Sequence, residues 1–190
     1  MTTPFVVFAL PRSRTTWLAA WLKGGHDLMP RCDSMAEYIA AIQRRGGTVE
    51  TAGMVAWRTL RKAMPHARFV TIRRPVAEVC ASLERQQWKM TPGLRDELQA
   101  RASMLDEIEA AGAKSFRFDE ISRPTVAALL WREVKPGRPF DYTRWSRIDA
   151  QKINTDVAAE NALFGARLDR IRCIVQEAQQ LDQELQAMEA

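Results

Sequence analysis

Residues 5–10, Phe-Val-Val-Phe-Ala-Leu, form an unbroken apolar run. A run of strand length with no polar alternation fits a strand covered on both faces, because neither side can be left in water. Pro11 ends the run, since it has no N–H to offer a ladder. From Thr15 onward, Trp17, Leu18, Trp21 and Leu22 recur at helical spacing, and Gly24-Gly25 stops them. The order is buried strand, short polar loop, helix. A chain built around such a central strand is committed to an α/β arrangement.

The same order recurs downstream. A helix is predicted over residues 34–45, with Met35, Ile39 and Ile42 on one face and Gly46-Gly47 as its stop. A short strand is expected over residues 53–57. A stronger strand over residues 67–72 runs into Arg73-Arg74-Pro75 and a helix through Val79 and Leu83. Leu94, Leu98, Leu105 and Ile108 mark a further helix, residues 115–118 a strand, and residues 125–134 a helix opened by Pro124. The alternation predicts a single P-loop-like α/β domain over residues 1–150, with a mostly parallel sheet flanked by helices. A turn-rich stretch follows from Lys135. From about Asn154, Phe164, Leu168, Ile171, Val175 and Ala178 define one apolar helix face, extended by Leu181, Leu185 and Met188. Residues 151–190 are thus expected to be a long C-terminal helical extension, packed on the domain or on a second subunit of a homodimer.

Composition narrows the function classes. With 190 residues, 46% of them hydrophobic, the chain can fill one core and would be crowded with two. No stretch approaches the about 18 uninterrupted apolar residues of a membrane span, and Met1-Thr-Thr-Pro carries no basic leader, so a soluble cytoplasmic protein without membrane partners is expected. Cys32, Cys80 and Cys173 are far apart and never in a Cys-x-x-Cys pair, which suggests neither a disulfide framework nor a metal site. A formal net charge of +5 favours an anionic partner, nucleotide or nucleic acid.

The first loop is the most informative segment. Pro11-Arg-Ser-Arg-Thr-Thr-Trp17 sets Arg12, Arg14 and the hydroxyls of Ser13, Thr15 and Thr16 around a helix start. Backbone N–H groups and the positive end of the helix dipole meet there, which makes an anion site. Helix capping alone would use one of the hydroxyls and neither arginine. The segment between Leu10 and Leu18 has no Gly and no Lys, so it departs from the GxxxxGK[ST] loop of nucleoside-triphosphate enzymes.

Pro11-Arg-Ser-Arg-Thr-Thr-Trp-Leu18 resembles the P-[KR]-S-G-T-T-W-L loop of PAPS-dependent sulfotransferases. The resemblance implies that Arg12 contacts the bridging oxygen and stabilises the leaving group. It implies that Ser13, Thr15 and Thr16 hold the 5′ phosphate beside Trp17. Arg14 stands where the family has glycine, and is expected to add a contact to the nucleotide. A second segment, Arg68-Phe-Val-Thr-Ile-Arg-Arg-Pro75 with the helix after it, is similar to the family's 3′-phosphate strand, which implies that role for Arg73, with Arg74 sharing it and Ser82 on the helix. Phe116-Arg-Phe-Asp-Glu120 resembles the family's strand with an acidic end. Lys135 and Arg138 around Gly137 are the candidates for its C-terminal RKGxxG signature. The implied chemistry is metal-free sulfuryl transfer from PAPS to an unidentified acceptor hydroxyl or amine. Asp33 is taken as the general base, with His26 beside Asp27, and Glu50, in the same region. A nucleotide- or nucleic-acid-binding module without turnover, or an atypical kinase, are the alternatives.

Overall fold

A computed structural model describes residues 3–150, 162 and 165–189. Five parallel strands form one sheet in the order β2-β3-β1-β4-β5: β1 (Phe5–Ala9), β2 (Gly25–His26), β3 (Thr48–Glu50), β4 (Arg68–Arg73) and β5 (Lys114–Arg117). The helices are α1 (Thr15–Leu22), α2 (Met35–Arg45), α3 (Trp57–Ala63), α4 (Val76–Arg85), α5 (Pro92–Ala110), α6 (Pro124–Val134), α7 (Tyr142–Asp149) and, at the C-terminus, α8 (Leu168–Glu189). The expected α/β domain with a long C-terminal helix is what forms.

The apolar run of β1 is explained by its place between β3 and β4. Every residue of β1 is inaccessible to solvent. Val6 and Phe8 point into a core closed by α2, α3, α4, α5 and α8, while Phe5, Val7 and Ala9 enter a second core with α1, α6 and α7. The period-2 alternation of a strand therefore feeds two different hydrophobic clusters, and no position can be polar. The direction in which successive strands are added to the sheet reverses at β1. The segments after β1 fill the β3 side, and β4 then returns to the other side of it. Loops at the carboxyl ends of strands next to such a reversal border a crevice, where open α/β sheets hold their ligands.

Two sequence expectations change. Residues 53–57 are not a strand: Gly53–Ala56 is a single 3-10 turn, and the strand lies earlier, at Thr48–Glu50. A Cβ on Gly53 would lie 2.1 Å from the Tyr38 hydroxyl and 2.7 Å from Glu50 Oε2, so the glycine serves close packing against α2. The turn-rich stretch after Lys135 contains helix α7, whose start is fixed by Asp141 accepting from the Arg144 N–H at 2.8 Å.

The apolar face of α8 closes on its own chain. Ile174 and Ala178 are buried, with Ile171 and Val175 packed beside them. Polar bonds fix the register: Glu177 Oε2 accepts the Met35 N–H at 3.0 Å, and Thr59 Oγ1 donates to the Ala178 carbonyl at 3.2 Å. Asn154 and Phe164, also expected in this helix, lie outside the described residues, and of Leu168, Leu185 and Met188 only the backbone is described. Among the described residues no helix is long and apolar enough to cross a membrane. If α8 is part of the core, Ile174→Ala should lower unfolding free energy by about 2–4 kcal/mol in urea titrations. A change under about 0.5 kcal/mol, the size of an ordinary surface substitution, would mean that the helix is loosely attached.

Candidate anion-binding site

The β1–α1 loop leaves the centre of the sheet in a backbone shape that arginine rarely adopts. Arg12 and Arg14 have φ of 63° and 59°, and Ser13 between them does not share the positive φ. Left-handed residues at alternate positions are one ingredient of the backbone nests that turn N–H groups toward an anion. Leu18 is the first residue of α1 whose N–H bonds back along the helix, to the Arg14 carbonyl at 2.8 Å, as helix starts require. Arg14 is the N-cap, and no side chain caps the helix. Capping therefore accounts for none of the loop hydroxyls.

The side chains match this. Ser13 is completely buried and its Oγ has no hydrogen-bond partner, and the same holds for the buried Nε of Arg12 and the indole Nε1 of Trp17. Buried donors without partners cost about 1–3 kcal/mol each and are rare in native proteins. Thr15, also buried, has its Oγ1 3.0 Å from His26 Nε2. Thr16 occupies the first turn of α1.

Arg74, at the end of β4, completes the concavity. Its guanidinium donates to the Arg12 carbonyl and lies over the Phe118 ring, 4.1 Å from the centroid. Its Nε lies 3.5 Å from Glu78 Oε2, a charge contact, and is a further buried donor without a hydrogen bond. Burial lowers the Arg74 pKa from its ordinary value, and the nearby Arg85 and Arg12 guanidiniums add to the shift. A cavity of about 340 Å³ adjoins it, lined by Arg73, Arg74, Arg117, Phe118 and Asp119 among others.

The division of labour between the two arginines differs from expectation. Arg73 spends its donors on α5: Nε on Glu109 Oε1 and Nη2 on Asp106 Oδ1, both at 2.6 Å, and Nη1 on the Ala102 carbonyl at 3.1 Å. It fastens α5 to the sheet, and Arg74 is the one that reaches the loop. Ser82 lies on the buried side of α4, about 9 Å along the helix from Val76 at the usual rise per residue. Arg14 turns its guanidinium to Ser122 and to Asp149 Oδ1, 3.2 Å away at the end of α7, and lies 5.5 Å from the Trp17 ring centre.

Asp33 does not have the surroundings of a base. It is exposed and paired with Arg167 and Arg170, and the hydrogen bond from Arg170 holds its carboxyl below the ordinary value. Its work is to tether the segment leading into α8. Lys135 and Arg138 are likewise remote from the loop. The Lys135 ammonium sits 4.7 Å from the centroid of Phe5, which opens β1, so it lies at the opposite, amino end of the strands.

Carboxylates do gather near Thr15, at the ends of β2 and β3. His26 Nε2 is 3.5 Å from Asp27 Oδ2, and Asp27 Oδ1 accepts from the Thr51 N–H at 2.6 Å. Glu50, wholly buried, accepts from the Leu28 N–H at 2.8 Å and from Thr48 Oγ1 at 2.6 Å. Burial, and then the Asp27 charge, push the Glu50 carboxyl up to about 8. The buried Tyr38 beside it has its hydroxyl pushed well above its ordinary value, again by burial first. Adjacency of His26 and Asp27 is visible in the sequence. The role of Tyr38 is not, because its helical spacing marks it only as core. A scan against protein-family models and a search of curated proteins give no match to the chain.

The elevated Glu50 value has a direction in pH. A carboxyl that holds its proton more tightly when folded contributes most below its ordinary value of 4.5, and loses that contribution as pH rises toward about 8. The thermal stability of the wild type should therefore fall from about pH 5 to pH 8 more steeply than that of Glu50→Gln, whose side chain is neutral throughout. Parallel curves for the two proteins would mean that Glu50 is ionised in the fold.

Proposed function

We propose that the β1–α1 loop binds the phosphosulfate of PAPS and that the chain transfers its sulfuryl group to an acceptor hydroxyl or amine. One observation carries this: buried donors without partners, on Arg12, Ser13 and Arg74, lie around the start of α1 at the reversal point of the sheet. Such groups persist in a fold when a ligand supplies the missing acceptors. A small tetrahedral anion on a nucleotide fits both the charge and the position.

In the transfer, the acceptor atom attacks sulfur in line, the bond from sulfur to the bridging oxygen breaks, and PAP leaves with that oxygen. Arg12 stabilises charge on the bridging oxygen, and Ser13, Thr15, Thr16 and the helix start hold the phosphate. Arg74 beside the cavity takes the second phosphate of the nucleotide, with Phe118 and Arg117 bordering the space for the nucleoside. The acceptor's proton goes to His26, whose Nε2 faces both Thr15 Oγ1 and the Asp27 carboxylate.

Calorimetry with PAP, AMP and ATP tests the binding half. PAP should bind at least about tenfold more tightly than AMP, the worth of one charge-assisted contact, and Arg74→Ala should abolish the difference. Equal affinities for PAP and AMP would remove the second-phosphate site, and a preference for ATP would favour the kinase alternative. For the chemistry, Arg12→Ala should lower sulfuryl transfer from PAPS by about 100-fold or more without lowering the unfolding midpoint. Tight PAP binding with no transfer to any hydroxyl or amine acceptor would leave a nucleotide-binding module.

A further inference from the structure

The amino end of the sheet, opposite the loop, carries a second concentration of positive charge. Phe5 is its floor. A Cβ on Gly24 would touch the Phe5 ring at 2.8 Å, and Lys135 covers the ring with its ammonium. Lys23 is the left-handed C-cap of α1, next to Gly24. Arg144 reaches the same helix end, its Nε donating to the Trp21 carbonyl at 3.0 Å and another nitrogen to that of Ala20. The backbone N–H of Arg138 donates to the Lys135 carbonyl at 3.1 Å, a turn that keeps the two residues adjacent. Four cations from α1, α6, α7 and the loop before α7 thus converge.

The nearby carboxylates are engaged elsewhere. Glu133 pairs with Lys114 at 2.7 Å and Arg68 at 3.9 Å, and Asp141 caps α7. Burial lowers the Lys135 pKa from its ordinary value, and Arg138, Lys23 and Arg144, all of like sign, lower it further. A cluster that repels itself gains from an anionic ligand.

Aromatic surface adjoins the charge. Tyr142 is 57% exposed, yet its ring is held against Trp145 and Phe140 at centroid distances of 5.5 and 6.4 Å. Between Leu129, Trp131, Arg132, Arg138 and Phe140 lies a cleft of about 260 Å³. A rigid exposed ring beside a row of cations is how proteins hold single strands, with bases stacked on the ring and phosphates on the cations. A small phosphate ester would use the charge and leave the ring idle.

We propose that this end of the sheet is a second binding surface, separate from the loop, and that it takes single-stranded nucleic acid: Lys23, Lys135 and Arg138 hold phosphates and Tyr142 stacks a base. The test is fluorescence anisotropy with a labelled oligothymidylate of about 12 nucleotides, a length within the usual single-strand site sizes. The logarithm of affinity should fall with the logarithm of salt at a slope near −2, as about three phosphate contacts require. The double variant Lys23→Asn, Arg138→Gln keeps the left-handed position 23 comfortable and should bind about tenfold or more weakly. Tyr142→Ala should weaken binding about fivefold or more, the low end of a stacked base. Arg12→Ala should bind the oligonucleotide as the wild type does, and excess PAP should not displace it. Three results would each overturn the proposal: no binding, unchanged affinity in the double variant, or loss of binding in Arg12→Ala, which would put the strand on the loop. So would equal binding of polyglutamate or of anionic vesicles, since any polyanion would then do.

Discussion

The double pairing of β1 is the constraint from which the rest of the molecule is measured. Because β3 and β4 flank it in parallel, its carboxyl end delivers the loop to a point fixed by two neighbouring strands. Arg74 comes from the end of β4 and binds the carbonyl of Arg12, so the strand end that borders the loop also braces it. His26 comes from β2 and reaches Thr15 from the other side. Side chains from three strands are thereby placed around one turn of helix.

The loop itself is held in a shape that costs free energy. A left-handed conformation disfavours any residue with a Cβ by about 1–2 kcal/mol, and two arginines adopt it within three positions. Each is tied down by an outside contact, Arg12 through its carbonyl and Arg14 through Asp149 and Ser122. Strain sustained in this way is typical of segments arranged in advance for a ligand. Glycine at position 14 would relieve the backbone and lose the link to α7, so the arginine exchanges local comfort for a connection between the loop and the second core.

Much of this was legible in the residues. The apolar run at 5–10, the helix stop at Gly46-Gly47 and Pro124 at a helix start each encode a local requirement that tertiary packing did not override, whereas α1 ends on a left-handed Lys23 and Gly24 and Gly25 give close approach to Phe5 and Leu28. What escaped depends on partners distant in sequence. Strand β2 is two residues long and has no periodicity to read. Arg73 and Arg74 are chemically identical neighbours, and the acids of α5 decide which of them is spent on structure. Asp33 is taken as the base for its position after the loop helix, whereas the arginines that occupy it lie more than 130 residues further on. The buried state of Glu50 is likewise invisible without the fold around it.

Trp17, next to the loop, lies 5.2 Å from Trp21, which in turn lies 5.7 Å from Trp131. Indoles this close exchange excitation, so light absorbed deep in the second core can emerge from the ring nearest the loop. Trp17 also has the Arg14 cation 5.5 Å from its ring centre, so any movement of Arg14 changes the charge beside an indole. The molecule therefore carries its own chromophore for the state of the loop, wired into the packing and requiring no label.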